Sequence, residues 1–212
     1  MKYLISFLFL ALAFTMKSEA KVALPSILGD NMVLQQQAEV KLWGKARPNA
    51  TVTVKTSWNG QTYKSSSDAK GGWSLTVSTP VAGGPYQITF NDGELLTLQN
   101  VLIGEVWFCS GQSNMEMPMG GFDRQPVRGT NDIIAKAKPS TPIRMYTTDS
   151  KDGRWVRQFS KTPQEDCQGE WLENTPVNVS HISAVSITLR VTYRKCWKFR
   201  SASSFLRGED QK

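Results

Sequence analysis

Between residues 22 and 100, apolar and polar side chains alternate in short runs. Val40/Leu42, Val52/Val54, Trp73/Leu75/Val77 and Tyr86/Ile88/Phe90 each put apolar groups at every second position, the period of a strand with one buried face. Asn59-Gly60, Gly71-Gly72, Gly83-Gly84-Pro85 and Asn91-Asp92-Gly93 separate the runs as turns. Short strands with this punctuation predict an antiparallel β-sandwich over residues 21–100. From Val101 to Cys109 the alternation is lost. Apolar residues there occupy successive positions, which predicts a parallel strand buried on both faces. A turn at Ser110-Gly111 ends that strand, and a helix is expected to begin near Ser113. Farther on, residues 131–137 predict a short helix capped by Asn131 or Asp132 and stopped by Pro139. Ile143 to Tyr146 predicts a strand. Thr147 to Pro176 is expected to be loop-rich, anchored by Trp155 and Trp171, and His181 to Val185 to open another helix. The expected fold class is therefore β followed by α/β: the sandwich and then the incomplete start of an α/β domain.

The turn after Cys109 carries candidate chemistry. A strand, a tight turn and a helix together lift a serine hydroxyl above a sheet edge and aim backbone N–H groups at it. A serine hydroxyl is a weak nucleophile until a base orients it and donors stabilise the oxyanion. Ser113 fits that position. It fits a helix N-cap equally well, because serine is a favoured capping residue. Gln112 and Asn114 flank it and either orient a substrate or brace the turn. Trp43, Trp58 and Trp73 are expected in the core or covering sheet edges rather than as a sugar platform.

The string CSGQSNMEMPM, Cys109 to Met119, resembles the first signature block of the sialate O-acetylesterase family, a carbohydrate-esterase branch of the SGNH hydrolases. SILGDNMVLQQ (Ser26 to Gln36), KLWGKARPNATVTV (Lys41 to Val54), GGWSLTV (Gly71 to Val77) and GEWLENTPVNVSHISAV (Gly169 to Val185) are similar to further parts of it. The resemblance implies an SGNH-type α/β hydrolase domain beginning at residue 101, with Ser113 as nucleophile. It also implies hydrolysis of O-acetyl esters of sialic acid or a related sugar, with no cofactor and no metal. Gln112, Asn114 and His181 are the candidates for substrate-binding or oxyanion support. His181 is not the family's base, which belongs to an Asp-x-x-His block far downstream. An alternative is a carbohydrate-binding or interaction β-module followed by a vestigial hydrolase segment.

Composition narrows the setting. MKYLISFLFLALAFTMKSEA has a positive start, a short apolar core and a small-residue cleavage site, so residues 1–20 read as a secretory signal peptide. It is too short for a membrane span. The protein is expected to be exported, periplasmic or extracellular, with no stable membrane insertion after cleavage. Three cysteines, Cys109, Cys167 and Cys196, show neither metal-ligand spacing nor a disulfide framework. His181 is the single histidine of the chain, which disfavours a His-based metal site.

The net charge of +7 is unevenly placed. Residues 186–212 hold seven Lys/Arg against Glu209 and Asp210, a net of +5, which leaves +2 for the rest. Basicity therefore belongs to the tail, and no nucleic-acid partner is expected. From Ser186 onward the helical pattern also fades, and the family's later blocks do not follow. A neighbouring reading frame over residues 187–212 permits an amphipathic helix, a buried strand and a Ser-Ser-Trp-Gly-Gly-Ser turn. The expected organisation is a signal peptide (1–20), a β-sandwich module (21–100), a partial hydrolase domain (101–185) and a non-native or disordered basic tail (186–212).

Overall fold

The structure is a computed structural model and describes residues 21–148, 150–151, 154–155, 166–189 and 202–208. The expected export signal at residues 1–20, Cys196, the side chain of Trp155 and most of the basic tail lie outside the described residues.

Among the described residues β-strand is the main regular structure, with few helices. In order the chain forms β1 (Val33–Gln35), β2 (Glu39–Lys45), β3 (Thr51–Thr56), β4 (Thr62–Ser66), β5 (Gly72–Ser78), β6 (Gly83–Asn91) and β7 (Leu95–Ser110). Two short helices follow, α1 (Ser113–Glu116) and α2 (Thr130–Ala135), then β8 (Ile143–Thr147), β9 (Ser150–Lys151), β10 (Arg154–Trp155) and β11 (Trp171–Glu173). α3 (Pro176–His181), a helical segment α4 at residues 184–189, and β12 (Ala202–Gly208) complete it. One large sheet runs β11-β8-β12-β7-β6-β3-β4, with β1 also paired to β7. β2 and β5 form a separate antiparallel pair.

The alternation predicted the inward faces of the early strands. Leu42 from β2 and Trp73 and Val77 from β5 share one core with Val52 and Val54 from β3, Ile88 and Phe90 from β6, and Leu98 from β7. Each large apolar side chain removed from water there contributes about 1.5–3 kcal/mol. Trp73 packs on Phe90 with ring centroids 5.8 Å apart. Between β4 and β5, the backbone N–H groups of Lys70 and Gly72 both donate to Asp68, at 2.7 and 2.8 Å. Those two bonds hold the Asp68 carboxyl below its ordinary pKa. Gly71 has φ +82°, and a Cβ there would lie 2.4 Å from the Ala46 carbonyl oxygen, so the hairpin requires glycine.

β7 joins two environments. Its first half pairs antiparallel with β6, and its second half runs parallel to β1 and β12. Val101 to Gly104 are buried in succession, as the loss of alternation predicts, but Phe108 near the end is exposed. Residue 100 lies inside this strand, so continuous backbone joins the two environments.

β8 is buried along its whole length because both of its faces are covered. Ile143 and Met145 enter a second core with Met119, Val179, Ile182, Ala184 and Ile187, whereas Tyr146 enters the first with Trp171. The Trp171 indole N–H donates to the Ile27 carbonyl at 2.7 Å, which makes this residue the anchor expected of it. Tyr146 shares hydrogen bonds with Ser26 and Cys167, and its burial raises the phenol's pKa. Arg144, also buried, pairs with Glu173 at 3.1 Å.

Two local expectations are adjusted. α2 begins at Thr130 with Gly129 in the cap position, and neither Asn131 nor Asp132 caps it. The Thr130 hydroxyl donates to the Met119 and Val127 carbonyls, which fixes the helix start one residue earlier. The helix expected to open between His181 and Val185 opens at residue 184, whereas His181 itself ends the preceding helix: Thr175 caps α3 by accepting from the Asn178 N–H, and the backbone is extended at Ile182. Ser186 and Ile187 are buried in the helical segment α4, and residues 202–208 form β12 between β7 and β8. Parallel pairing on both sides supplies that strand's backbone partners where the side-chain pattern gave no signal.

Candidate functional site

Ser113 is the first residue of α1, which follows β7 after the turn at Gly111-Gln112. Gln112 occupies the cap position and its side chain makes no capping bond, so Ser113 lies inside the helix and is not its cap. Gln112, Ser113 and Asn114 are all exposed. Backbone bonds from Met115 and Glu116 to the Gln112 carbonyl, at 2.9 and 3.1 Å, close the single turn. The serine hydroxyl therefore stands at the C-terminal end of a parallel strand, open to solvent, where an acyl carbon can approach it.

A four-residue helix has little stability of its own. Its position comes from the chain around α3 and α4. The Met119 N–H donates to the Ile182 carbonyl, Gly120 to Ser180 and Ala184 to Met117, each at 2.8 Å. A Cβ at Gly120 would stand 3.1 Å from the Ser180 carbonyl oxygen, so glycine permits this close approach. Below the turn, the Ser183 and Ser186 hydroxyls donate to the Met115 sulfur at 3.2 and 3.4 Å. Met119 is fully buried beneath them. The Cys109 thiol is also buried, which raises its pKa, and a hydrogen bond with Ser186 partly offsets the rise.

Sequence reasoning missed Ser183 and Ser186 as supports. The signal was a pair of small polar residues three apart, Ser183 just before α4 and Ser186 in its first turn. His181 is exposed at the end of α3, beside the Ser180 carbonyl that fixes Gly120. No hydrogen bond joins His181 to Ser113 among the described residues. Cys109 and Cys167 are free thiols. No group of three or more His, Cys, Asp or Glu that could hold a metal ion occurs among the described residues. No helix among them is long and apolar enough to cross a membrane.

No family model matches the chain. Among curated proteins it is similar to sialate O-acetylesterase from Homo sapiens, 34% identical over 105 residues, covering 43% of this chain and 20% of that protein. The Mus musculus sialate O-acetylesterase is 33% identical over 102 residues, with 43% and 19% of the two chains covered. The chain thus spans about a fifth of the length of the curated relatives it matches. Among solved structures it is similar to a carbohydrate acetylesterase from Xanthomonas citri, with a TM-score of 0.77 and 27% identity over 89% of this chain and 40% of the other.

Proposed function

We propose that the chain, similar over 105 residues to sialate O-acetylesterase and similar in structure to a carbohydrate acetylesterase, derives from an exported serine esterase acting on O-acetyl groups of sialic acid or a related sugar. In this reading residues 21–100 are a β-sandwich module and residue 101 opens an SGNH-type hydrolase domain. The observation that carries it is the exposed Ser113 hydroxyl at the C-terminal end of β7, on a turn held from below by Ser183 and Ser186. Attack of Ser113 Oγ on the ester carbonyl passes the hydroxyl proton to a base and forms a tetrahedral oxyanion. Collapse expels the sugar alkoxide, which takes up a proton, and leaves acetyl-Ser113; water then releases acetate. In this reading Gln112 and Asn114, the exposed neighbours of Ser113 in the chain, orient the acetylated sugar.

The base is the weak link. The chain's single histidine, His181, makes no hydrogen bond to Ser113 among the described residues, and no Asp-x-x-His block occurs in the sequence. Members of a catalytic triad act as a unit, so a chain without the base falls short of a complete enzyme by roughly 10⁴–10⁶ in turnover. Slow hydrolysis is the expected behaviour of this polypeptide.

Since those losses do not add, Ser113→Ala alone is a poor rate test, and covalent trapping is the better one. With imidazole added to supply the general base, an aryl fluorophosphonate should modify the Ser113 peptide in preference to other exposed serines, as read by mass spectrometry. Labelling spread evenly over surface serines would remove Ser113 from the nucleophile's role. Rapid release of acetate from an aryl acetate, lost in Ser113→Ala, would overturn the expectation of weak activity.

A further inference from the structure

Trp43 does not follow the other early tryptophans. Trp73 is buried, and Trp58 packs beside the first core with its indole N–H donating to the Ser78 carbonyl at 3.0 Å. Trp43 is 38% exposed, and it lies in a cleft of about 770 Å³. It sits on the outward positions of β2, where Lys41, Trp43 and Lys45 are all exposed and the two-residue period gives them the same face. The residues paired with Trp43 and Lys45 on β5 are Ser74 and Gly72, both too small to cover the indole. At the cleft's edge stands Asp68, whose carboxyl the Lys70 and Gly72 amides hold in place and in its ionised form.

A partly exposed indole, two lysines lining the same cleft and a fixed carboxylate acceptor form a set with a definite complement. The C–H face of a pyranose ring is apolar with a partial positive charge, and it packs against the negative face of an aromatic ring. The hydroxyls at its rim need both donors and acceptors, which Lys41, Lys45 and Asp68 supply. Concave sites of this kind bind through apolar contact, with a few polar groups fixing orientation. We propose that this cleft is a glycan-binding subsite separate from the Ser113 turn, with a pyranose ring stacked on Trp43. The subsite does not depend on hydrolysis at Ser113, and it would hold a glycan chain on the β2–β5 side of the protein while an acetylated residue is presented elsewhere.

The test titrates the full chain with lactose and with sialyllactose, followed by tryptophan fluorescence and by saturation-transfer NMR. Binding of either sugar is expected, with affinity at least tenfold lower in Trp43→Ala and largely kept in Trp43→Phe. Lys41→Ala and Lys45→Ala should weaken sialyllactose more than lactose if the sugar's carboxylate sits between the two ammoniums. Equal losses would place ring hydroxyls there and still support the subsite. Ser113→Ala should bind as the parent does. Binding of neither sugar, or unchanged binding in a folded Trp43→Ala chain, overturns the subsite. Loss of binding in Ser113→Ala but not in Trp43→Ala would assign the glycan to the Ser113 turn and also overturn it. Failure of phosphonate trapping at Ser113, with sugar binding intact, would count against the esterase reading alone.

Discussion

The strands before β7 and the chain after it bury apolar side chains by different means. In the first region each strand supplies its inward face at every second residue, so Val52/Val54 and Ile88/Phe90 on one sheet pack against Leu42 and Val77 on the β2–β5 pair. In the second, Met119, Ile143, Met145, Val179, Ile182 and Ile187 come from α3, α4, one strand and the loop after α1. Much of its cohesion is backbone bonding between residues 117–120 and 180–184. The first region is stabilised by neighbours in a ladder. The second depends on segments some sixty residues apart meeting correctly, and the candidate nucleophile is carried by this second kind of structure.

Truncation in each core should give the largest effects and separate the two regions. Phe90→Ala removes a fully buried ring and is expected to cost about 3–5 kcal/mol in unfolding free energy. Met119→Ala should cost about 2–5 kcal/mol. Hydrogen exchange distinguishes them: Met119→Ala should speed exchange at Gly120 and Ala184 while leaving β3 and β6 protected. Uniform acceleration in both regions would mean that they unfold as one cooperative unit.

The ion pair on the face of β8 that carries Tyr146 gives a smaller, signed effect. Arg144 is buried and its Nε has no partner among the described residues, whereas Glu173 is partly exposed. Glu173→Gln leaves a buried cation with a weakened counter-charge and should destabilise the fold by about 1–3 kcal/mol. Arg144→Met, which removes the cation and its desolvation cost, should be closer to neutral in the same denaturant titration.

Thiol chemistry offers a finer comparison. Cys109 is buried under the turn with its pKa raised, so little thiolate forms near neutral pH, whereas Cys167 is half-buried. Iodoacetamide at pH 8 should alkylate Cys167 well before Cys109, with peptide mapping as the readout. Met119→Ala should narrow the gap if loosening the second core opens the turn.

The smallest effect concerns Asp68. Its folded pKa is depressed, so its contribution to the β4–β5 hairpin is complete above the ordinary carboxylate pKa and is lost as pH falls through the folded value. The amide resonances of Lys70 and Gly72 should shift together in that acidic window and stay flat above it. Asp68→Asn should remove the titration.

Strand faces in the first region were legible because period two survives wherever one side of a sheet faces water. The buried strand before Ser113 was legible for the opposite reason, since a strand covered on both faces shows no alternation. The serine itself was visible as a residue type on a sharp turn. Its role as first helical residue in place of cap was not, because one residue of register depends on which amide bonds close the turn.

The sequence by itself determined which faces of β2, β3, β5 and β6 turn inward and where a hydroxyl follows a buried strand, because both are properties of neighbours in the chain. Only the tertiary structure decided that Ser183 and Ser186 stand under Met115, that His181 ends a helix, that Trp43 is left uncovered by Ser74 and Gly72, and that β12 lies between β7 and β8. Those relations join residues distant in sequence, and local periodicity carries no information about them.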